Sequence, residues 1–191
     1  MRPSPSSTFI SKKSRLHEII AEKSFKRGHF ILASGLTSDH FFDLKPTLLD
    51  PEGANLIADL VLEKIDASTD AVGGLELGAC PIVSSVCIKS YLIGRSLRTF
   101  YVRKEKKERG TKQRIEGCTI KKGDKVIIVE DVTTKGGSVM EAIAVVKAEG
   151  AEIIKVLCIL DRLQGAKEHL AEQGIVLDYI FTKDEFMNPS T

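Results

Sequence analysis

Val126-Ile127-Ile128-Val129-Glu130-Asp131-Val132-Thr133-Thr134-Lys135-Gly136-Gly137-Ser138 decides how the rest of this sequence is read. The run 125–129 is β-branched and continuous, the composition of a strand buried on both faces of a parallel sheet. It ends in two adjacent acids and then in a hydroxyl- and glycine-rich turn that opens a helix over 138–149, closed by Gly150. Glycines let backbone amides approach an anion, a helix N-terminus adds unpaired N–H groups and partial positive charge, and Thr or Ser hydroxyls add donors. A phosphate suits such a turn. Two carboxylates beside a phosphate repel it unless they have another task, and a pair of vicinal ribose hydroxyls, with a magnesium ion, supplies one. The plainer alternative is that Glu130 and Asp131 merely end a strand before an ordinary Gly-Gly loop. No G-x-x-x-x-G-K-[ST] and no G-x-G-x-x-G occurs, which excludes the P-loop and dinucleotide fingerprints.

Outward from this stretch, strand and helix signals alternate. Downstream, 153–160 repeats the strand signal, 164–173 reads as a helix closed by Gly174, and 176–181 as a last strand. Upstream, Asp50-Pro51-Glu52 is an N-cap, a first-turn proline and an acid, opening a helix to about Ile65. A strand is expected over 71–75, a mostly buried helix over 81–94 and another strand over 99–102. Nearer the N-terminus, 14–27 reads as a helix ended by Gly28, and strands at 30–32 and 41–44 form a hairpin across turn-rich Thr37-Ser38-Asp39. Repeated β-α-β units imply right-handed crossovers and an α/β fold: an open, mostly parallel sheet flanked by helices, with ligands beyond the carboxyl ends of the strands.

At 191 residues, 42% hydrophobic and 28% charged, the chain fits one globular domain. We expect a disordered tail over 1–8, a small N-terminal hood over about 9–45 and the α/β core over about 46–191. A formal net charge of +2 and the lack of any stretch of 18 apolar residues give no global sign of a nucleic-acid or membrane partner. Cys80, Cys87, Cys118 and Cys158 form no C-x-x-C pair and read as reduced thiols of a cytoplasmic protein. His17, His29, His40 and His169 are scattered and receive no chemistry.

Charge does concentrate locally. Residues 103–114 hold seven basic side chains against two acidic ones, with few apolar anchors. Alone, such a run is a solvated face or a nucleic-acid patch. Beside a diphosphate-transfer site it reads as a mobile lid, over 103–117, that neutralises a departing pyrophosphate.

Residues 126–138 resemble the phosphoribosyl pyrophosphate signature of the type I phosphoribosyltransferase family. The run Tyr101-Val102-Arg103-Lys104-Glu105-Lys106-Lys107-Glu108-Arg109-Gly110-Thr111 is similar to the catalytic loop of that family's orotate branch, as is Leu160-Asp161-Arg162. With Ser34-Gly35, Phe41-Phe42-Asp43, Gly73-Gly74 and Gly78-Ala79-Cys80-Pro81, the likeness spans about 30–162. It implies transfer of ribose 5-phosphate from phosphoribosyl pyrophosphate to orotate, giving orotidine 5′-monophosphate and pyrophosphate, in pyrimidine biosynthesis. By resemblance, Arg103, Lys104, Lys107 and Arg109 meet the pyrophosphate, and Glu130 and Asp131 hold the ribose. Val132, Thr133, Thr134, Lys135, Gly136, Gly137 and Ser138 form the phosphate loop, while Thr134 and Arg162 contact orotate with Phe41 and Phe42 lining the base pocket. Lys107, Asp131 and Glu130 are the expected catalytic residues. The resemblance also implies Mg2+ held mainly by the substrate's diphosphate, with no direct protein ligand, and a homodimer whose lid reaches the neighbouring site.

The two phenylalanines fit plain core packing equally well. Three departures stand out: Ala33 and Gly78 where many members carry lysine, and Arg109 where they carry histidine. A purine-specific relative shares the phosphoribosyl loop, though the lid and Asp161-Arg162 favour orotate. A non-enzymatic sensor of the sugar diphosphate that binds nucleic acid through the basic loop is the rival of another class; both acids are intact and no separate DNA-binding segment is present.

Overall fold

The computed structural model describes residues 5–31, 37–105 and 113–187. Its core is a six-stranded sheet ordered β5-β4-β3-β6-β7-β8, made of β3 (Ala71–Leu75), β4 (Arg98–Val102), β5 (Ile115–Gly117), β6 (Lys125–Thr133), β7 (Glu152–Asp161) and β8 (Val176–Thr182). All neighbours run parallel except β5, which pairs antiparallel with β4. Alternation along β6 divides two cores. Ile127 and Val129 face one with Leu157 and Ile159, under α1 (Pro5–Lys23), α3 (Pro51–Glu63) and α4 (Ala79–Leu92). Val126 and Ile128 face the other with Val156, under α5 (Gly137–Ala148) and α6 (Ala166–Ala171). A period of two thus explains why a continuous apolar run, rather than an alternating one, was needed.

A separate hairpin of β1 (Phe25–Ile31) and β2 (Thr37–Phe42) stands beside α1, and the short α2 (Lys45–Leu48) leads into α3. Asp50 caps α3 as its sequence announces, accepting from the amides of Glu52 at 3.1 Å and Gly53 at 2.9 Å. The first helix departs from expectation at both ends. It starts at Pro5, so 5–8 are helical rather than tail, and it stops at Lys23 instead of near Arg27. The early stop follows from pairing: Phe25 sits opposite Phe42 across the hairpin with ring centroids 4.8 Å apart, which outweighs local helical preference. Gly28, read as a helix stop, lies at the bulge of β1 between Arg27 and Phe30. Positions 1–4 of the expected tail and the Ser34-Gly35 pair fall outside the described residues.

Three further differences bear on the site. Strand β6 continues four residues past Val129, because Val132 pairs with Leu160 and Thr133 with Asp161, so the acids lie within the ladder. Residues 115–117, expected in the lid, form β5, a strand too short for a period-two signal. Helix α4, expected to be mostly buried, buries Ile82, Val83 and Val86 but exposes Ile88, Tyr91 and Leu92. The final α7 (Asp184–Met187) was not anticipated; its Phe186 closes the first core.

Candidate active site

The chain order reverses between β3 and β6: β3 leads outward to β4, while β6 leads the other way to β7 and β8. A crevice at such a switch point, beyond the carboxyl ends of the strands, is where open α/β sheets bind ligands. Here the loop after β3 and the end of β6 meet. A Cβ on Gly78 would lie 2.5 Å from both the Asp131 Oδ1 and Glu130 Oε1 atoms, so any other residue there must push these carboxylates aside. One departure from the family pattern thus falls where the loop after β3 meets the acids.

Glu130 is buried, and Asp131 is half-buried. Burial, then the neighbouring Asp131 charge, pushes the Glu130 carboxyl up to about 8. The pair therefore retains a proton at neutral pH. Ser138 Oγ donates to Glu130 Oε2 at 2.8 Å, and the Asp131 amide reaches Glu130 Oε1 at 3.2 Å. Ser138, expected to face a phosphate, is in this state turned to the acid. Asp131 Oδ1 accepts from the Val132 amide at 2.8 Å. Lys45, from α2, adds a positive field at Asp131 while bonded to Asp43 at 3.0 Å.

Behind the acids, Gly136 takes φ +80°, a left-handed turn that glycine adopts freely, and no side chain caps α5. Its first amides are thus free for an anion, in contrast to the Asp50-capped α3. Gly137 and Lys135 are exposed at this mouth. Thr133 turns its side chain inward. Its hydroxyl is buried and shares its one proton between Asp161 Oδ1 at 3.3 Å and Cys158 Sγ at 3.4 Å, so its side chain braces the strand ends.

Arg162 follows β7. Its amide donates to the Thr133 carbonyl at 3.0 Å, fixing it beside the phosphate loop. The residue is buried, and its Nε and Nη2 atoms have no hydrogen-bond partner. Burial pulls its pKa down from the ordinary guanidinium value. An unpaired buried guanidinium costs several kcal/mol and is resolved by an incoming anion. Asp161 braces this turn, accepting from the Leu163 amide at 2.9 Å.

At the lid stem, Arg103 Nε is buried without a partner and the Lys104 amide donates to Glu76 Oε1 at 3.0 Å. Lys107 and Arg109 lie outside the described residues, as does Ala33. Phe41 and Phe42 point to opposite faces of β2. Phe42 is core, packed with Phe25 and Phe186, whereas Phe41 is partly exposed with its centroid 5.5 Å from that of Phe30. The expected pair is therefore divided: Phe42 packs the core and Phe41 alone has a ring free to meet a base. A cavity of about 550 Å³ lies elsewhere, between 113–120 and the far half of α5.

The Phosphoribosyl transferase domain model matches residues 47–187. A protein of Rhodopseudomonas palustris strain BisB5 named orotate phosphoribosyltransferase is 44% identical over 182 residues, covering 93% of this chain and 97% of the relative. A Sorangium cellulosum protein of the same name is 38% identical, covering 93% of this chain and 94% of its own. The chain belongs to the orotate phosphoribosyltransferase family. Among solved members, the Mycobacterium tuberculosis enzyme superposes with a TM-score of 0.80 at 30% identity, covering 92% of this chain and 98% of that one. The same enzyme has been solved with 5-phospho-α-D-ribosyl 1-diphosphate.

For the metal expected of this family, the donor chemistry at the crevice is sparse. No group of three His, Cys, Asp or Glu side chains is poised for an ion among the described residues. With a proton retained on the acid pair at neutral pH, Glu130 is a poor ligand. Asp131 alone offers a carboxylate oxygen, which fits an ion arriving on the substrate's diphosphate. Sequence reasoning missed Gly78 as the close contact of the acids, Asp161 as the brace of Arg162, and Glu76 and Arg114 at the lid stem. Of these, Gly78, Asp161 and Arg114 lay within stretches already singled out, and Glu76 did not.

Proposed function

We propose that this protein transfers the ribose 5-phosphate group of phosphoribosyl pyrophosphate to orotate, breaking the bond from the anomeric carbon to the diphosphate oxygen and forming one to a ring nitrogen. The observation that carries the choice of base is Arg162: a buried guanidinium with two unpartnered nitrogens, tied to Thr133 of the phosphate loop. A purine offers it no anion. The orotate carboxylate pairs with it in two-pronged fashion, and Phe41 offers a ring beside the base.

Displacement builds positive charge on the ribose and negative charge on the leaving group, so the work is positional and electrostatic. The amides opening α5 hold the 5′-phosphate with Gly136, Gly137 and Lys135. Glu130, carrying its proton, donates to one ribose hydroxyl while Asp131 accepts from the other and favours the cationic ring. Arg103, Lys104, Lys107 and Arg109 neutralise the departing pyrophosphate and exclude water. Mg2+ held mainly by the substrate's diphosphate would supply further charge neutralisation, with Asp131 the carboxylate available to it from the crevice.

The exposed apolar face of α4, with Ile88, Tyr91 and Leu92 at helical spacing, supports a homodimer in which the lid serves the neighbouring site. No described helix is long and apolar enough to cross a membrane, in keeping with the cytoplasmic setting proposed here. The test is to offer orotate, adenine, guanine, hypoxanthine and uracil separately with Mg2+ and phosphoribosyl pyrophosphate and to measure pyrophosphate release. Release is expected with orotate; release with a purine and not with orotate overturns the reading.

A further inference from the structure

Lys104 enters the site from a stem whose backbone is gripped from two sides. Its amide donates to Glu76 Oε1 at 3.0 Å, and Glu76 belongs to the loop after β3, whose Gly78 touches the acid pair. Its carbonyl accepts from Arg114 Nη2 at 2.9 Å, while Arg114 Nε donates to the Arg103 carbonyl, also at 2.9 Å. The Arg103 amide closes the stem onto the Arg114 carbonyl at 2.8 Å. The same Arg114 guanidinium pairs with Glu141, one turn into α5, the helix whose first amides form the phosphate cradle. One planar group thus ties both backbone carbonyls of the stem to the element that seats the phosphate, leaving Arg103 Nε buried and unpartnered.

We propose that Arg114, with Glu76, is a positioning residue: it fixes Arg103 and Lys104 relative to the phosphate cradle so that their side chains meet the diphosphate end of the sugar substrate. The inference rests on the proposed transferase reading and adds to it which residues set that geometry. The physical requirement is strict. Three acceptors arranged around one guanidinium match its forked donors, and a lysine ammonium presents a single point of charge. Misplacement by about 1 Å costs orders of magnitude in a positional mechanism. The orotate end is braced separately, through Asp161 and Thr133, and should not feel the change.

Arg114→Ala, Arg114→Lys and Glu76→Ala are assayed by pyrophosphate release, with KM measured for each substrate and thermal denaturation alongside. Expected for both alanine variants is a rise of about tenfold or more in KM for phosphoribosyl pyrophosphate, with KM for orotate within about twofold of wild type. Arg114→Lys should stay nearer the alanine variant than the wild type. The proposal is overturned if both KM values move together, if Arg114→Lys behaves as wild type, or if melting falls while KM for the sugar diphosphate is unchanged. Wild-type protein without turnover of orotate sinks the parent reading instead, so the two failures are distinguishable.

Discussion

At the scale of single residues, buried charge divides the labour. Arg162 has a guanidinium that the fold desolvates with Nε and Nη2 unpartnered, which is the ground for proposing that it meets the orotate carboxylate. Arg162→Ala should raise KM for orotate by roughly a hundredfold while moving that for phosphoribosyl pyrophosphate far less, the scale for removing one partner of a buried charge pair; equal effects on both substrates contradict its placement. Glu130 tells the complementary story. Its folded pKa, about 8, lies above the ordinary value of 4.5, so the folded protein binds a proton that the unfolded chain releases. Its contribution to stability is whole below pH 4.5 and is lost as pH rises through 8. Glu130→Gln, permanently neutral and still able to donate, should therefore melt at the same temperature as wild type near pH 4.5 and higher near pH 9. Thermal denaturation of the ligand-free proteins at the two pH values checks it, and an unchanged difference between them removes the strained acid from the argument.

At the scale of elements, the phosphate loop was legible because it couples two strong local signals, a β-branched run and a Gly-Gly turn into a helix, and both survive tertiary packing. What the sequence could not convey was direction. Thr133 and Thr134 are chemically alike, yet pleating turns the first into the fold toward Asp161 and leaves the second half-exposed. Phe41 and Phe42 split for the same reason, since neighbours on a strand face opposite sides. The β1 boundary was lost to a long-range pair, Phe25 with Phe42, and β5 to its brevity. Gly78 was noticed as part of a family stretch and as an absent lysine but not as a neighbour of the acids, because that contact depends on a loop 52 positions before Glu130 closing on it. The left-handed Gly136 is where backbone and function coincide. Gly136→Ala should destabilise the protein by roughly 1–2 kcal/mol, the cost of a left-handed non-glycine residue. It should also raise KM for phosphoribosyl pyrophosphate several-fold, since the amides behind it must shift; a normal KM in calorimetrically destabilised protein separates the turn from phosphate binding.

For the whole molecule, the two cores explain stability of one subunit but not the surface of α4. Ile88, Tyr91 and Leu92 lie 65%, 75% and 71% exposed on one helical face, an apolar stripe that a lone subunit leaves in water at a cost. In the homodimer proposed above, a second copy related by a two-fold axis would bury the same patch on both subunits, with each lid serving the other's crevice. Leu92→Asp should then shift the sedimentation of the protein from dimer to monomer and lower turnover with it. The stronger test uses two inactive proteins. Lys107→Ala removes a lid charge and Asp131→Asn removes the ribose contact, so each homodimer has two defective sites. If the lid acts across the interface, a mixed dimer pairs one intact crevice with one intact lid, and the other site carries both defects. Random reassortment makes half the dimers mixed with one good site in two, so mixing after denaturation and refolding should restore about a quarter of wild-type pyrophosphate release. A lid that serves its own subunit gives no recovery, because every site in the mixture then keeps one of the two lesions.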